Sequence, residues 1–132
     1  MGKKTISPWD DYAERESPDG HYTAVFKNGT EIAMGAPTAG ELWIKTSTWE
    51  KHLVSDDAAA SFVWSDDSCF LAFSKWKHNK SQSLCVLQLS DLAVDESPDE
   101  FRVLELKAFS NGKIEGVDSP VYMPYTFSLK YG

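Results

Sequence analysis

Three histidines, His21, His52 and His78, are the side chains of this sequence best suited to bind a metal or to transfer a proton near neutral pH. A zinc site of the common kind has a second histidine roughly three to five positions from the first. None of the three histidines has such a neighbour, so each is expected in a loop or at the end of a strand. The sequence therefore predicts no metal site and no cofactor.

Carboxylates occur in four neighbouring pairs, and two carboxylates are the usual acid/base couple of many hydrolases. Adjacent residues of a strand point to opposite faces, so such a pair is poorly placed to act on one substrate atom. Asp also favours tight turns and helix caps. Turn or cap roles are therefore expected for the four pairs Asp10-Asp11, Asp56-Asp57, Asp66-Asp67 and Asp99-Glu100.

Nucleophilic catalysis has no recognisable motif in this chain. The Gly-x-Ser-x-Gly elbow is absent, and neither Cys69 nor Cys85 lies in a pattern typical of a Cys/His nucleophile. A triad assembled from distant positions leaves no mark in a sequence, so an enzyme with a dispersed site stays open as an alternative. The favoured interpretation is a protein that is not an enzyme and has no catalytic residues.

The two cysteines lie in segments that look like neighbouring strands of one hairpin. If the turn is centred in residues 77–82, Cys85 faces a position near Ser74, and Cys69 lies further along the first strand. A disulfide needs Cα atoms within about 7 Å of each other. This register predicts two buried free thiols in preference to a bridge.

Size and charge limit the class of protein. A chain of 132 residues fits one domain with its own core. Twenty acidic and thirteen basic residues give a formal net charge of −7, which disfavours nucleic acid and makes a basic protein partner plausible, although such a charge also serves solubility. No apolar run approaches the ~20 residues of a membrane span, and no signal peptide is evident, so a cytoplasmic location is expected.

The clearest pattern is an internal repeat of a turn followed by a strand. Residues 16–25 and 64–73 match at a separation of 48 positions, each with a Pro-Asp-Gly or Asp-Asp-Ser turn, an aromatic residue, a spacer and an alanine. Further alternating segments and Asn-Gly turns bring the count to roughly eight short strands. Residues 1–16 are expected to form an irregular arm, and residues 17–132 a single all-β domain.

Within that domain, three stretches are ambiguous. Residues 49–54 suit a short strand or a helical turn, and residues 101–109 suit a strand without excluding a helix. Residues 56–60 could form a brief helix with Asp56 as its N-cap, but a loop is favoured. Pro120 and Pro124 favour edge strands because proline cannot donate to a β-ladder. The apolar members of the strongest strand pair are expected in the core: Phe62, Trp64, Phe70, Ala72, Leu84, Val86 and Leu89.

Residues 62–74 resemble the Trp-Ser-Pro-Asp-Gly-x-x-Leu-Ala-Phe signature of TolB-like and prolyl-oligopeptidase-type β-propeller blades. Residues 17–20 are similar to the same element, and residues 84–91 are similar to the third strand of a blade. Residues 40–44 show a weaker likeness to a blade. The resemblance covers about half of the chain. A closed propeller needs at least about four blades of some forty residues, and this chain has room for about three. The resemblance therefore implies an antiparallel meander of blade-like hairpins packed as a sandwich or open barrel, and it assigns no function to named residues.

Surface aromatic residues and carboxylates are the candidates for binding a partner. Trp49 and Trp76, flanked by lysines and by His78, are the tryptophans expected to be exposed, and residues 91–100 concentrate acidic side chains that speed encounter with a cation-rich protein. The opposite interpretation is a solvated connection beside a packed Trp76. The candidate partner-binding residues are Trp49, Trp76, His78, Asp91, Asp95, Glu96, Asp99 and Glu100.

Together these features favour a non-enzymatic acidic binding protein, with an immunity or inhibitor protein for a basic toxin as the most concrete version. A small-ligand-binding sandwich or barrel is the first alternative, and an enzyme with a dispersed site is the second. A flat acidic patch would favour a protein partner, whereas a deep apolar pocket with convergent polar groups would favour a ligand.

Overall fold

The computed structural model describes residues 11–31, 38–46, 48, 50–77, 81–97, 99–119 and 123–128. Those residues form ten β-strands and no helix. The strands are β1 (Ala13–Glu16), β2 (Tyr22–Glu31), β3 (Thr38–Thr46), β4 (Lys51–Trp64), β5 (Phe70–Trp76), β6 (Gln82–Gln88), β7 (Ala93–Glu96), β8 (Val103–Ser110), β9 (Lys113–Ser119) and β10 (Met123–Ser128).

The strands form two antiparallel sheets in which each strand pairs with its neighbour in the sequence. β1 to β7 make a seven-stranded sheet in chain order, and β8 to β10 make a three-stranded sheet. The all-β antiparallel meander predicted from the sequence is thus confirmed, and its packing is sandwich-like. In the part of the chain that is described, no helix is long and apolar enough to cross a membrane.

Strand β4 is unusually long and belongs to two halves of the large sheet. Its first part pairs with β3, its last part pairs with β5, and Ala58 pairs with Gly40 on one side and Lys75 on the other. Bulges interrupt both ladders near this point, which lets the strand bend. A Cβ atom at Gly40 would lie 2.7 Å from the carbonyl oxygen of Lys27, so the close approach of strands here requires glycine.

This strand corrects the expectation of a loop at residues 56–60. Ala58, Ala59 and Ala60 are fully buried, although alanine has little intrinsic preference for strands. These alanines are buried by strands that are distant in sequence. Those tertiary contacts override the low strand preference of alanine. Residues 13–16, expected in an irregular arm, likewise form β1 by pairing with β2, and residues 103–110 form a strand.

One apolar cluster fills the inner face of the seven-stranded sheet. It joins side chains from both halves of that sheet, from Ala13 on β1 to Leu87 on β6, so the sheet curves over its own inner face. The buried members are Ala13, Ala24, Phe26, Leu42, Ile44, Ala58, Ala60, Phe62, Leu71, Phe73, Cys85, Leu87 and Leu89.

A second cluster fills the space between the outer face of β5 and β6 and the three-stranded sheet. Its buried members are Ala72, Leu84, Val86, Phe101, Leu104, Leu106, Phe109 and Ile114. Of the predicted core, Phe62, Ala72, Leu84, Val86 and Leu89 are buried as expected. Trp64 and Phe70 are half-buried and pack against the rims of the two clusters, so full burial was wrong for them.

The hairpin register of β5 and β6 lies within one position of its prediction, because Cys85 pairs with Phe73 beside Ser74. Both thiols are free. Cys85 is buried, but Cys69 is exposed in the turn before β5, which corrects the expectation of two buried thiols. Pro124 lies in β10, at the edge of its sheet as expected.

Candidate functional site

The first repeat turn joins β1 to β2 and is built by side chains that bond to the backbone. Ser17 Oγ donates to Asp19 Oδ1 over 2.7 Å and accepts from the Tyr22 N–H over 3.1 Å. The His21 N–H donates to Asp19 Oδ1 over 3.0 Å. Two backbone bonds close the turn, from Ser17 N to Tyr22 O and from Gly20 N to Ser17 O.

The second repeat turn joins β4 to β5 and has the same five bonds. Ser65 Oγ donates to Asp67 Oδ1 over 2.6 Å and accepts from the Phe70 N–H over 3.0 Å, and the Cys69 N–H donates to Asp67 Oδ1 over 3.0 Å. The two backbone bonds recur from Ser65 N to Phe70 O and from Ser68 N to Ser65 O. The internal repeat is therefore a repeat of hydrogen bonds as well as of residue types.

These bonds favour the charged form of both turn carboxylates. The hydrogen bond from the Ser65 hydroxyl, followed by that from the Cys69 N–H, lowers the pKa of Asp67 below its usual value. At Asp19 the bond from the His21 N–H comes first, then the Ser17 hydroxyl, and the pKa is also lowered. The turn role expected for the Asp66-Asp67 pair is thus confirmed at Asp67.

Two indoles tie the halves of the large sheet together. Trp64 Nε1 donates to the carbonyl oxygen of Arg15 over 3.0 Å, and the Trp64 ring stacks on Tyr22 with centroids 6.3 Å apart. Trp76 Nε1 donates to the carbonyl oxygen of Thr38 over 2.9 Å. Trp76 is only 8% exposed, so the expectation that its ring is exposed is wrong. Trp49 and His78 lie outside the described residues.

The predicted carboxylates cluster at β7, which is an edge strand of the large sheet. All four residues of β7 are exposed, and the strand pairs with β6 alone among the described strands. Two apolar side chains stand out on and beside it, Leu92 at 39% and Val94 at 44% exposure. We call this surface the acidic edge; its members are Asp91, Leu92, Val94, Asp95, Asp99 and Glu100, all exposed.

Local contacts fix the shape of the acidic edge. Asp91 Oδ1 accepts the Ala93 N–H over 3.0 Å, and Leu92 adopts a positive φ of 59°, which starts β7 abruptly after β6. Glu100 Oε1 accepts the Ser81 hydroxyl over 2.8 Å. These contacts hold Asp91 in the turn before β7 and Glu100 beside Ser81.

Two lysines surround the carboxylate of Glu96. Lys75 Nζ and Lys77 Nζ lie 3.7 Å and 3.8 Å from its carboxylate oxygens. These three side chains line an open groove of about 510 Å³, together with Asp57 and Trp76. Among the described residues, the groove brings two carboxylates and two ammonium groups together beside one indole.

The cysteines are not activated as nucleophiles. Burial, followed by the charge of Glu96, raises the pKa of Cys85 to about 11. The pKa of Cys69 is also raised, first by desolvation and then by the charge of Asp67. Among the described residues, no group of three or more His, Cys, Asp or Glu side chains is placed to hold a metal ion.

Sequence reasoning missed two parts of the surface. Leu92 and Val94 lie within the predicted acidic segment, and their apolar character at alternate positions was the available signal. The outer face of β1 to β4 gathers Lys27, Lys45 and Lys51 around Trp43. No local pattern predicts this second cluster, because its members come from three strands.

No protein-family model matches the chain, and no curated protein matches it. Among solved structures, the tricorn protease is similar to this chain, with a TM-score of 0.64 and 15% sequence identity. The match covers 80% of this chain and 11% of the length of the tricorn protease. At this identity the likeness concerns the fold alone. It supports propeller-like β-repeats, in agreement with the two repeated turns.

Proposed function

We propose that this chain is a non-enzymatic binding protein that recognises a protein with a basic surface through the acidic edge. The observation that carries the proposal is an exposed edge strand with two exposed apolar side chains, Leu92 and Val94, among carboxylates. An immunity or inhibitor protein that covers the cationic site of a toxin is the most concrete version of this function. A cytoplasmic location and a TolB-like or prolyl-oligopeptidase-type origin of the repeats belong to the same proposal.

Charge supports the choice of partner. Asp91, Asp95, Asp99 and Glu100 lie within ten positions of a chain whose net charge is −7, and all four are exposed. Such a cluster attracts cationic surfaces and accelerates encounter. Lys75 and Lys77 offset the charge of Glu96.

Apolar contact supports a protein rather than a small cation. Binding free energy comes mainly from apolar groups that leave water at the centre of an interface, while rim charges set rate and specificity. Val94 on β7 and Leu92 in the turn before it supply such groups. Edge strands are also the part of a sheet most prone to pair with another chain.

The test compares capture of proteins from the native host by three immobilised forms of the chain. The neutralised form carries Asp95→Asn, Asp99→Asn and Glu100→Gln. The matched control carries Glu50→Gln, Asp66→Asn and Glu115→Gln, which remove the same charge from exposed sites elsewhere. We expect a basic protein to be retained by the wild type and the control and lost by the neutralised form.

Association rates of the captured protein then identify steering by the edge. They should fall several-fold on neutralisation and with rising salt, because the Debye length shortens from about 30 Å at 0.01 M to about 8 Å at 0.15 M. Equal retention by all three forms, or retention of no basic protein, would contradict the proposal.

The groove beside Trp76 favours a second candidate function, the binding of a small ligand. Its volume of about 510 Å³ suits a small molecule. Lys75 and Lys77 on one side and Asp57 and Glu96 on the other would suit a ligand that carries both charges. Quenching of tryptophan fluorescence by free amino acids and dipeptides, absent in Lys75→Ala, is the expected result.

A further inference from the structure

Strand β7 has one backbone edge paired with β6 and one edge that no described strand covers. Just beyond β7, the Ser97 N–H donates to the carbonyl oxygen of Leu84 over 2.8 Å. Hydrogen-bonded pairs alternate along an antiparallel ladder, so in this register the next residue bonded to β6 is Asp95. The N–H and C=O groups of Val94 and Glu96 therefore point away from β6, toward the open edge.

The ladder on the other side of β6 leads to the same alternation. The Leu89 N–H donates to the carbonyl oxygen of Cys69 over 3.0 Å at one end of the β5–β6 ladder. In that register Cys85 and Leu87 bond to β5, which leaves Val86 between them to bond to β7. Two ladders thus agree on which backbone groups of β7 face the open edge.

The open edge is suited to the addition of another strand. Among the described residues, none bonds to the backbone of Val94 or Glu96 on that side, and all four residues of β7 are exposed. Proteins protect such edges with bulges, prolines and charges. The β6–β7 ladder has no bulge, and β7 contains no proline. Its carboxylates are the protection that remains, and they repel only segments that are themselves acidic.

The side chains of β7 alternate between two faces of the sheet. Val94 lies opposite Leu87, a member of the inner cluster, so it points to the inner side. Asp95 lies opposite Val86 of the second cluster and points to the outer side. Glu96 shares the inner side with Val94, because residues two positions apart in a strand share a face.

A strand added beside β7 would meet these two sides with alternate residues. An apolar residue opposite Val94 would extend the inner cluster and remove an exposed apolar side chain from water. A cationic residue opposite Asp95 would form a cross-strand pair of opposite charge. Lys75 and Lys77 already contact Glu96, so an uncharged residue suits the position opposite it. The edge therefore fits a segment in which cationic and apolar residues alternate.

We propose that β7 takes up an extended segment of the basic partner as an eighth strand of the large sheet, with cationic and apolar residues in alternation. The inference rests on the proposed function and names the part of the partner that the acidic edge binds. The added strand is antiparallel to β7, because antiparallel ladders are the more stable kind per residue. Backbone bonds to Val94 and Glu96 supply affinity, and the alternating side chains supply selectivity.

A second copy of the chain fits this edge less well. Pairing of two β7 strands would place Asp95 and Glu96 close to the same carboxylates of the other copy, and like charges opposed across a ladder are destabilising. A polyamine would meet the opposite charge but offers no peptide groups to bond to the edge. Both occupants serve as outcomes that the experiment distinguishes.

Amide hydrogen exchange of the wild type, followed by NMR, tests the added strand residue by residue. The probe is a capped peptide of about six residues that alternates lysine and valine. At about 90% occupancy we expect exchange at the Val94 and Glu96 amides to slow about tenfold, because exchange then proceeds from the free form. The Asp95 amide already bonds to β6 and should not change. Spermine, which has charge but no peptide backbone, should protect none of the three.

Two methylated forms of the peptide separate backbone pairing from charge. In the antiparallel alignment with a valine opposite Val94, the valine N–H groups point to β7 and the lysine N–H groups point away. N-methylation of every valine should weaken binding about tenfold or more, whereas N-methylation of every lysine should leave the affinity within about twofold. Equal affinities, a loss confined to the lysine-methylated form, protection by spermine or no binding of the peptide would overturn the proposal.

Two variants separate this inference from the proposed function. Val94→Pro removes an N–H that points to the added strand and no bond to β6, while Val94→Thr keeps that N–H as the matched control. We expect Val94→Pro, checked for folding by urea unfolding, to lose both the peptide and the basic protein from the native host, and Val94→Thr to keep both. If Val94→Pro does not fold, the peptide comparisons decide, since they use the wild type.

The two ideas fail in different ways. If the neutralised form loses the basic protein of the host while Val94→Pro retains it, strand addition is overturned and the proposed function stands. If the peptide adds to β7 but no basic protein of the host is captured, the proposed function is contradicted and strand addition stands.

Discussion

The backbone N–H of Asp19 donates a hydrogen bond to the side-chain hydroxyl of Ser68 over 3.0 Å, so the two repeat turns touch directly. Ser68 occupies the position in the second turn that Gly20 occupies in the first, and their φ angles are 64° and 76°. Glycine adopts such a backbone without strain, whereas serine does not. The strained serine supplies the hydroxyl that joins one repeat to the other.

Two substitutions of Ser68 should distinguish the stabilisation by its hydrogen bond from the cost of its positive φ. Ser68→Ala loses the bond and keeps the positive φ, so we expect the free energy of unfolding to fall by about 1–2 kcal/mol. Ser68→Gly loses the same bond but relieves roughly 1 kcal/mol of strain, so it should cost less. Urea unfolding of the two variants measures the difference. A glycine variant less stable than the alanine variant would show that the strain is unimportant.

The turn carboxylate of Asp67 should give the fold a dependence on acid pH. Its pKa is lowered in the folded protein, mainly by the Ser65 hydroxyl, so the stabilisation is present above the unfolded pKa of about 3.9 and is lost as pH falls through the folded pKa. Asp67→Asn keeps an acceptor oxygen but cannot titrate. We therefore expect the stability gap between wild type and Asp67→Asn to narrow from pH 5 to pH 3.

Asp66→Asn is the control for that experiment, since it removes the same charge one position away from the bonded carboxylate. Its stability should follow the wild type across the same pH range. An unchanging gap between the wild type and Asp67→Asn, measured by urea unfolding at each pH, would contradict the role assigned to Asp67.

The repeat turns were predictable from the sequence because their bonds are local. Ser65 bonds to Asp67 and to the Phe70 N–H, and Asp67 accepts from the Cys69 N–H. All four residues lie within six positions, so residue type and spacing are sufficient. The long strand β4 was not predictable in this way. Ala58 is held in a strand by Gly40 and Lys75, each seventeen or more positions away, and short windows contain no trace of those partners.

The hydrogen bond of the buried Trp76 should contribute more to stability than that of the half-exposed Trp43. Trp76→Phe removes the donor to the buried Thr38 carbonyl and part of a buried ring, so a loss of about 1–3 kcal/mol is expected. Trp43→Phe, at a half-exposed ring on the outer face of β3, serves as the matched change and should cost less than about 1 kcal/mol. Equal losses in thermal or urea unfolding would show that Trp76 does not join the sheet halves.

The candidate surfaces were only partly predictable for a related reason. Asp91 and Asp95 are close in sequence, and charge clustering in a chain is visible without a structure. The burial of Trp76 depends on Thr38, thirty-eight positions earlier, and its flanking lysines suggested exposure instead. The cluster around Trp43 combines Lys27, Lys45 and Lys51 from three strands, so only the pairing register brings them together.

The two thiols should react at very different rates in the folded protein. Cys69 is exposed, whereas Cys85 is buried with a pKa of about 11, so only about one Cys85 thiol in a thousand is ionised at pH 8. We expect iodoacetamide to modify one thiol per native molecule and two in denaturant. In Cys69→Ser, rapid modification of the native protein should disappear. Two equally rapid modifications would contradict the burial of Cys85.

Truncation of two phenylalanines three positions apart should distinguish the inner cluster from its outer neighbour. Phe73 is 1% exposed and lies in the inner cluster, so Phe73→Ala should lower the free energy of unfolding by about 3–5 kcal/mol. Phe70 is half-buried against the second cluster and stacks on Phe109 with centroids 6.3 Å apart. The Phe70 side chain is already partly exposed to water in the wild type, so the loss in Phe70→Ala should be about 1–3 kcal/mol.

Urea unfolding measures both losses, and the comparison is valid if the free energy of unfolding falls with urea concentration at the same slope in both variants. A larger loss at Phe70 than at Phe73 would mean that the interface with the three-stranded sheet, rather than the curved inner face, is the main source of stability.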